Sequence, residues 1–170
     1  MSRLLTIFCK YFWFEVTFFD IIGFLFWGIW YYFAYVKHWL IKSEPFKYSW
    51  EQFEKDKKTF WDGVRNYQAR NNLREMNPGD WCLYYHSNEG KEVVGIAEVV
   101  KAAYQDPTTE NPQWVVVDVK PVKKLKKTVT LSQMKGDDRL SDLGLLKQPR
   151  LSVIALTETQ FNIILEMADE

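Results

Sequence analysis

Residues 77–104, NPGDWCLYYHSNEGKEVVGIAEVVKAAY, change period in a way that sets the fold class. Asn77-Pro78-Gly79-Asp80 is turn chemistry, and it ends a helical pattern. From Trp81 onward the side chains alternate, with Trp81, Leu83 and Tyr85 on one face and Cys82, Tyr84 and His86 on the other. That two-residue period predicts a strand. Ser87-Asn88-Glu89-Gly90 has hairpin composition, so the next strand, Glu92 to Tyr104, runs back antiparallel. Within it, Gly95 and Ala97 leave room for another element to approach closely.

Upstream, His38 to Lys42 is a short apolar run that Ser43-Glu44-Pro45 brings to an end. Ser49 with Gln52 predicts a capping box for a helix from Trp50 to about Lys57. Asn66 caps a second helix, Tyr67 to about Met76. Downstream, Trp114 to Lys120 is a valine-dominated strand, and Thr130 with Gln133 opens a short helix near Leu131 to Lys135. Leu151 to Leu156 is a last strand. Thr157 with Gln160 then starts a C-terminal helix in which Phe161, Ile164 and Leu165 share a face. The sum is an α+β fold: five or so mostly antiparallel strands, short inserted helices, and a small, partly closed barrel rather than a doubly wound sheet.

The chain carries 22 basic and 22 acidic residues. Three of the basic and two of the acidic ones lie in the first 37 positions, leaving 19 against 20 in the rest and a net charge of −1 there. Gripping nucleic acid mainly through phosphates calls for a strongly basic domain. Any nucleic-acid role here therefore rests on a pocket and a local patch. The cysteines, Cys9 and Cys82, and the histidines, His38 and His86, are too few and too scattered for a metal centre or a disulfide framework. No cofactor is expected, a reducing and cytoplasmic setting is the default, and a monomer is the expected state.

Residues 1–37 form a segment apart from the domain at 38–170. They hold fifteen of the chain's 29 aromatic residues, and no charge interrupts Ile21 to Val36. That run is 16 residues long, short of the ~20 of a membrane span, and extending it to Val16 takes in Asp20. Two readings stand beside each other: a segment foreign to the natural product, or an anchor through residues 16–36 that would place the domain at a membrane. A soluble extension is the third.

Phosphate-loop, zinc-protease and nucleophile-elbow motifs are all missing. His86 with scattered carboxylates is the one catalytic possibility, and a histidine at a strand end more often plays a structural role. The informative stretch is Trp61-Asp62-Gly63-Val64-Arg65-Asn66-Tyr67-Gln68-Ala69-Arg70-Asn71. Aromatic and guanidinium planes stack on bases, while amides and carboxylates read their polar edges. An ordinary capped helix with Trp61 in the core and paired arginines is the alternative. Lys42-Ser43-Glu44-Pro45 and Tyr84-Tyr85-His86-Ser87-Asn88 each put polar groups at the end of an apolar strand, as a pocket rim does. The run Lys120 to Lys127 is either a phosphate-tracking patch or a charged edge that discourages aggregation.

Six blocks carry a resemblance: HWLIKSEP at 38–45, WDGVRNYQARN at 61–71, YYHSN at 84–88, VVGIAEVV at 93–100, WVVVDV at 114–119 and LSV at 151–153. In that order they resemble the EVE domain family, from His38 to about Leu165. The resemblance implies a PUA-like pseudo-barrel related in shape to the YTH readers, and a non-catalytic module that encloses a modified base. The favoured ligands are 5-methylcytosine and its hydroxymethyl form, in DNA or RNA. It further implies a base pocket of Lys42, Ser43, Trp61, Val64, Arg65, Asn66, Tyr67, Arg70, His86, Ser87 and Asn88. Trp61 or Tyr67 would be the stacking wall, Ser43 and Asn66 the polar edge, and Arg65, Arg70 and Lys123, Lys124, Lys126 and Lys127 the phosphate contacts. An RNA-binding accessory protein of RNA modification is the alternative reading, and a nucleotide-processing enzyme acting through His86 is a third. The loop after Tyr104 reaches Trp114 in fewer residues than in many relatives.

Overall fold

The computed structural model describes residues 36–169. Strands β1 (His38–Ser43), β2 (Thr59–Phe60), β3 (Trp81–His86), β4 (Glu92–Gln105), β5 (Val115–Thr130) and β6 (Val153–Leu156) form one sheet in the order β2-β5-β4-β3-β1-β6. Helices α1 (Trp50–Asp56), α2 (Tyr67–Glu75), α3 (Leu131–Gly136) and α4 (Gly144–Lys147) are inserted between the strands, and α5 (Glu158–Met167) follows the last of them. All neighbours pair antiparallel except β1 and β3, which run parallel with Ser43 opposite His86. The fold is thus α+β as expected, with six strands rather than five or so.

The parallel pair has a direct consequence. It brings the C-terminal ends of β1 and β3 to the same end of the sheet, so the polar segments after them emerge side by side. The Ser87 N–H donates to the Ser43 carbonyl at 2.8 Å and fixes that juxtaposition. Strands β2 and β6, which lie far apart in the sheet order, are its two free edges.

Three of the four caps behave as expected. Asn66 accepts from the Ala69 N–H, and Thr130 and Thr157 form complete boxes with Gln133 and Gln160. At Ser49 the hydroxyl caps the Gln52 N–H, but the Gln52 amide instead reaches forward to Asp56 at 2.7 Å, an i,i+4 contact that competes with the box. The largest departure is β5, which continues through the whole lysine run instead of stopping at Lys120. Pro121 tolerates this because it sits where the register with β4 shifts, between the pairs Ile96–Lys123 and Ala97–Pro121. Proline is accepted in a strand at such a bulge. On α5 the buried side is Phe161, Ile163 and Ile164, with Leu165 only partly covered.

The core packs Trp50 and Phe53 of α1 and Leu73 of α2 against β1, β3 and β4. Gly95 faces the Trp50 indole so closely that a Cβ there would fall 2.4 Å from its ring carbons. Residues 1–35 and 170 lie outside the described residues, and with them nearly all of the candidate anchor at 16–36. Among the described residues no helix is long and apolar enough to cross a membrane. Gly95→Ala is expected to lose about 1–3 kcal/mol of stability by overpacking Trp50, read as a lower urea midpoint with an unchanged slope. An unchanged midpoint would contradict this packing.

Candidate nucleic-acid interface

At the shared ends of β1 and β3 a half-open cleft of about 700 Å³ runs between the two free edges of the sheet. Its walls come from four places in the sequence. β1 and the turn after it give Lys42, Ser43, Glu44, Lys47 and Tyr48; β2 and the segment after it give Thr59 to Val64. The β3–β4 turn gives Ser87 and Asn88, and the approach to β6 gives Pro149, Arg150 and Ser152. A nucleobase with room for substituents fits a space of this size, since small-ligand sites run from about 300 Å³ upward.

The back wall is Trp61. Its backbone N–H donates to the Val117 carbonyl at 2.8 Å, and the residue is only 7 % exposed. Behind it stands Tyr84, fully buried, with ring centroids 5.5 Å apart and planes nearly perpendicular at 84°. The indole therefore belongs to both core and cleft: one side is packed, and another contributes to the cavity lining. Gly63, two residues on, has φ of +71°, and a Cβ added there would meet nothing within 4 Å, so backbone conformation rather than space calls for glycine.

The polar wall is heavily cross-braced. Ser43 Oγ donates to the Tyr48 carbonyl at 2.9 Å, and Asn88 Nδ2 donates to Glu44 at 2.7 Å. Glu44 also pairs with Lys47 at 2.6 Å. Asn88 holds φ of +66°, a left-handed conformation that asparagine tolerates. Lys42 braces the opposite side: its N–H donates to Ser152 and its Nζ to the Pro149 carbonyl, each at 3.0 Å. Burial pulls the Lys42 ammonium down to about 8. It is charged at neutral pH and poised to lose its proton just above.

Of the eleven residues expected in the pocket, Lys42, Ser43, Trp61, Val64, Ser87 and Asn88 line this cleft. The other five lie elsewhere. Asn66 spends its side-chain oxygen on the α2 cap, 3.0 Å from the Ala69 N–H. Arg65 pairs with the buried Asp106 at 2.7 Å and reaches Thr108 at 3.3 Å, so it ties the loop after β4 to the start of α2. Burial pushes Asp106 up, but hydrogen bonds from Thr108 and Arg65 outweigh it and hold the carboxyl below its ordinary range. Tyr67, 60 % exposed, stacks at a tilt on Trp114 at 5.3 Å, and the Arg70 guanidinium lies 4.9 Å over the Tyr67 ring. His86 packs edge-on against Tyr84 from another side, at 5.7 Å, with a buried and unpartnered Nε2. Burial lowers its pKa.

The four lysines also stand apart from the cleft, on β5. Lys124 pairs with Glu51 at 2.9 Å, Lys127 with Asp169, and Lys126 donates to the Asp169 carbonyl at 2.8 Å. Much of that run's charge is engaged in holding α1 and the C-terminal end. Sequence reasoning did not single out Lys47, Tyr48, Thr59, Phe60, Pro149, Arg150 and Ser152. The available signal was Arg150 directly before the LSV block at 151–153, at the start of an edge strand.

The chain matches the EVE domain model over residues 37–167. It belongs to the EVE domain family. Thymocyte nuclear protein 1 of Gallus gallus is 36 % identical over 167 residues, covering 78 % of this chain and 69 % of that protein. A crystal structure of the human THYN1 protein in complex with 5-methylcytosine-containing DNA is 33 % identical with a TM-score of 0.73, covering 79 % of this chain and 98 % of that one. The YTH domain of Zygosaccharomyces rouxii MRB1, solved with N6-methyladenosine RNA, is similar at a TM-score of 0.51 and 16 % identity, over 79 % of this chain and 88 % of that one. This last likeness concerns the fold alone, and it agrees with the PUA-like architecture expected of the family.

Proposed function

We propose that this EVE domain is a non-catalytic reader that encloses one modified nucleobase, of the 5-substituted cytosine type, in the cleft between β2 and β6. The observation that carries the reading is the composition of one cavity: an indole wall backed by core on one side, hydroxyl, amide and ammonium groups on the other. The human relative solved with 5-methylcytosine-containing DNA supports both the ligand class and the partner. In this reading the base stacks against Trp61, while Ser43, Ser87, Asn88 and Lys42 face its polar edge. Val64 supplies the apolar notch for the 5-substituent. Extruding a base costs a few kcal/mol, which stacking and edge hydrogen bonds offset. A buried methyl adds roughly 0.8 kcal/mol, so the domain prefers the substituted base without excluding the plain one.

The remaining expected residues take outer roles. Tyr67, Arg65 and Arg70 with Trp114 form a guanidinium–aromatic cluster beginning one residue beyond Val64, suited to the strand that leaves the cleft. Any phosphate contact by Lys123, Lys124, Lys126 and Lys127 would compete with the ion pairs described above. His86 lies outside the cleft lining with its imidazole against Tyr84, which supports the non-catalytic reading over hydrolysis through that residue. The domain is taken as 38–170, with residues 1–37 outside the binding unit.

Two measurements test this. Across oligonucleotides that differ only at cytosine C5, affinity is expected to be about three- to fivefold higher with methyl than with hydrogen, following the burial of one methyl. Trp61→Phe, which keeps the core filled where alanine would cost about 3–5 kcal/mol, should weaken all of them. Indifference to both the C5 group and Trp61→Phe would remove the cleft from the account. The second is pH dependence. Lys42 is protonated below about 8, so binding of an anionic strand should weaken between pH 7 and 9 in the wild type but not in Lys42→Met. Titration of Lys42 does not itself destabilise the fold: a lysine whose folded pKa lies below its ordinary 10.5 makes the fold gain stability as pH rises through that interval. Equal pH profiles for the two proteins would take Lys42 out of the contact.

A further inference from the structure

Three aromatic side chains among the described residues are strongly exposed: Phe46 at 67 %, Tyr67 at 60 % and Phe60 at 41 %. Two of them belong to the region of the cleft: Phe60 lines it, and Phe46 lies between the lining residues Glu44 and Lys47, whereas Tyr67 lies outside it. Leaving a large ring in water forgoes the gain that burying it would bring. Exposed rings beside a cavity suit a surface that meets flat apolar partners. Tyr67 is already stacked on Trp114 and covered by Arg70, and Phe60 is part of the cleft wall. Phe46 differs from both. Among the described residues no other ring packs on it, and the Lys47 ammonium lies 5.7 Å from the ring centre.

The mount of Phe46 is rigid although its side chain is bare. Pro45 fixes the backbone just before it. The Lys47 and Tyr48 N–H groups both donate to the Glu44 carbonyl at 2.9 Å, closing the turn around residue 46. The Tyr48 carbonyl that ends the turn accepts from Ser43 Oγ at 2.9 Å and from the buried Tyr84 hydroxyl at 2.8 Å. Glu44, at its beginning, is held by Asn88 and Lys47. A floppy loop would place an exposed phenylalanine nowhere in particular. Here the backbone that carries the ring is held in a braced turn whose neighbouring residues Glu44 and Lys47 line the cleft, with a cation beside the ring.

We infer that Phe46 is a wedge that enters the base stack of a duplex and fills the gap left when the modified base moves into the cleft. The inference rests on the base-enclosing reading above and adds a duplex as the partner's form. When a base leaves the helix, its two former neighbours lose stacking on one face each, and an inserted apolar side chain restores part of that contact. The open duplex is then held by two linked events, the base against Trp61 and the phenyl ring between its former neighbours. A single strand offers no such gap to fill, so the wedge acts on duplex binding alone.

The test compares wild type, Phe46→Ala and Phe46→Leu. The probe is an oligonucleotide carrying one 5-methylcytosine, used as a single strand and as a duplex with a 2-aminopurine beside the modified base. The ring is exposed, so both variants should keep the wild-type thermal midpoint. Duplex affinity should fall about tenfold or more in Phe46→Ala, the scale of one lost base–aromatic stack, with single-strand affinity changed less than about threefold. Phe46→Leu, still an apolar wedge, should recover most of the loss. The 2-aminopurine emission should rise on binding wild type and rise less with Phe46→Ala. Equal affinities for the duplex, or equal losses on duplex and single strand, would overturn the wedge while leaving the reader intact. Wild-type binding to the single strand with none to the duplex would overturn it as well. Absence of wild-type binding to either probe would instead bring down the base-enclosing reading on which the wedge depends.

Discussion

The ring of Tyr84 is the point on which both sides of the cleft rest. It is fully buried near the end of β3, and its plane is nearly perpendicular to Trp50, Trp61 and His86, at centroid distances of 5.3, 5.5 and 5.7 Å. Phe53 stacks on it at 5.4 Å. Edge-to-face contacts of this kind add about 0.5–1.5 kcal/mol each beyond the area they bury, and they fix orientation as well. The hydroxyl leaves this apolar cluster to bond the Tyr48 carbonyl at 2.8 Å. One side chain thus backs the indole wall with its ring and anchors the opposite lip with its oxygen. Burial raises its pKa, so the hydroxyl stays a donor across the physiological range.

On the proposed reading, that arrangement accounts for a nearly neutral domain holding a polyanion. Most of the lysine charge on β5 is engaged by Glu51 and the Asp169 end, and Arg65 is engaged by Asp106. Long-range attraction is therefore weak, and counterion release contributes little. Selectivity falls instead to a preorganised cavity whose polar groups already have partners. Asn88 is held by Glu44, Lys42 by Pro149, and Ser43 by Tyr48. Such groups need little reordering when a base arrives, which lowers the entropic cost of binding.

The strand pattern from Trp81 to Tyr104 and the caps at Asn66, Thr130 and Thr157 were legible in the sequence because each depends on residues close together in the chain. The parallel pairing of β1 with β3 was not, since nothing in HWLIKS or WCLYYH announces its partner. Yet that pairing creates the cleft, and this is why Pro149, Arg150 and Ser152 joined it unannounced. They approach through β6, more than a hundred residues from Lys42. The helix motif WDGVRNYQARN divided for a similar reason. Trp61 and Val64 precede α2 and face the cavity, whereas Arg65, Tyr67 and Arg70 point to the loop after β4 and to Trp114. Composition identified the right residue types, and only the start of the helix separated wall from exterior. The length of β5 was hidden by Pro121, whose place at a register shift cannot be read from one strand alone.

The central claim is that one modified base leaves its strand and lies between Trp61 and the ends of β1 and β3. The most direct test is nuclear Overhauser contact from an isotope-labelled 5-methyl group of a cytosine in a bound oligonucleotide. Contacts are predicted from that methyl to the Trp61 indole protons and the Val64 methyls, with loss of those to the neighbouring bases of its own strand. A methyl that keeps its neighbouring-base contacts in the complex, or that touches the lysine side chains of β5 instead, would contradict it.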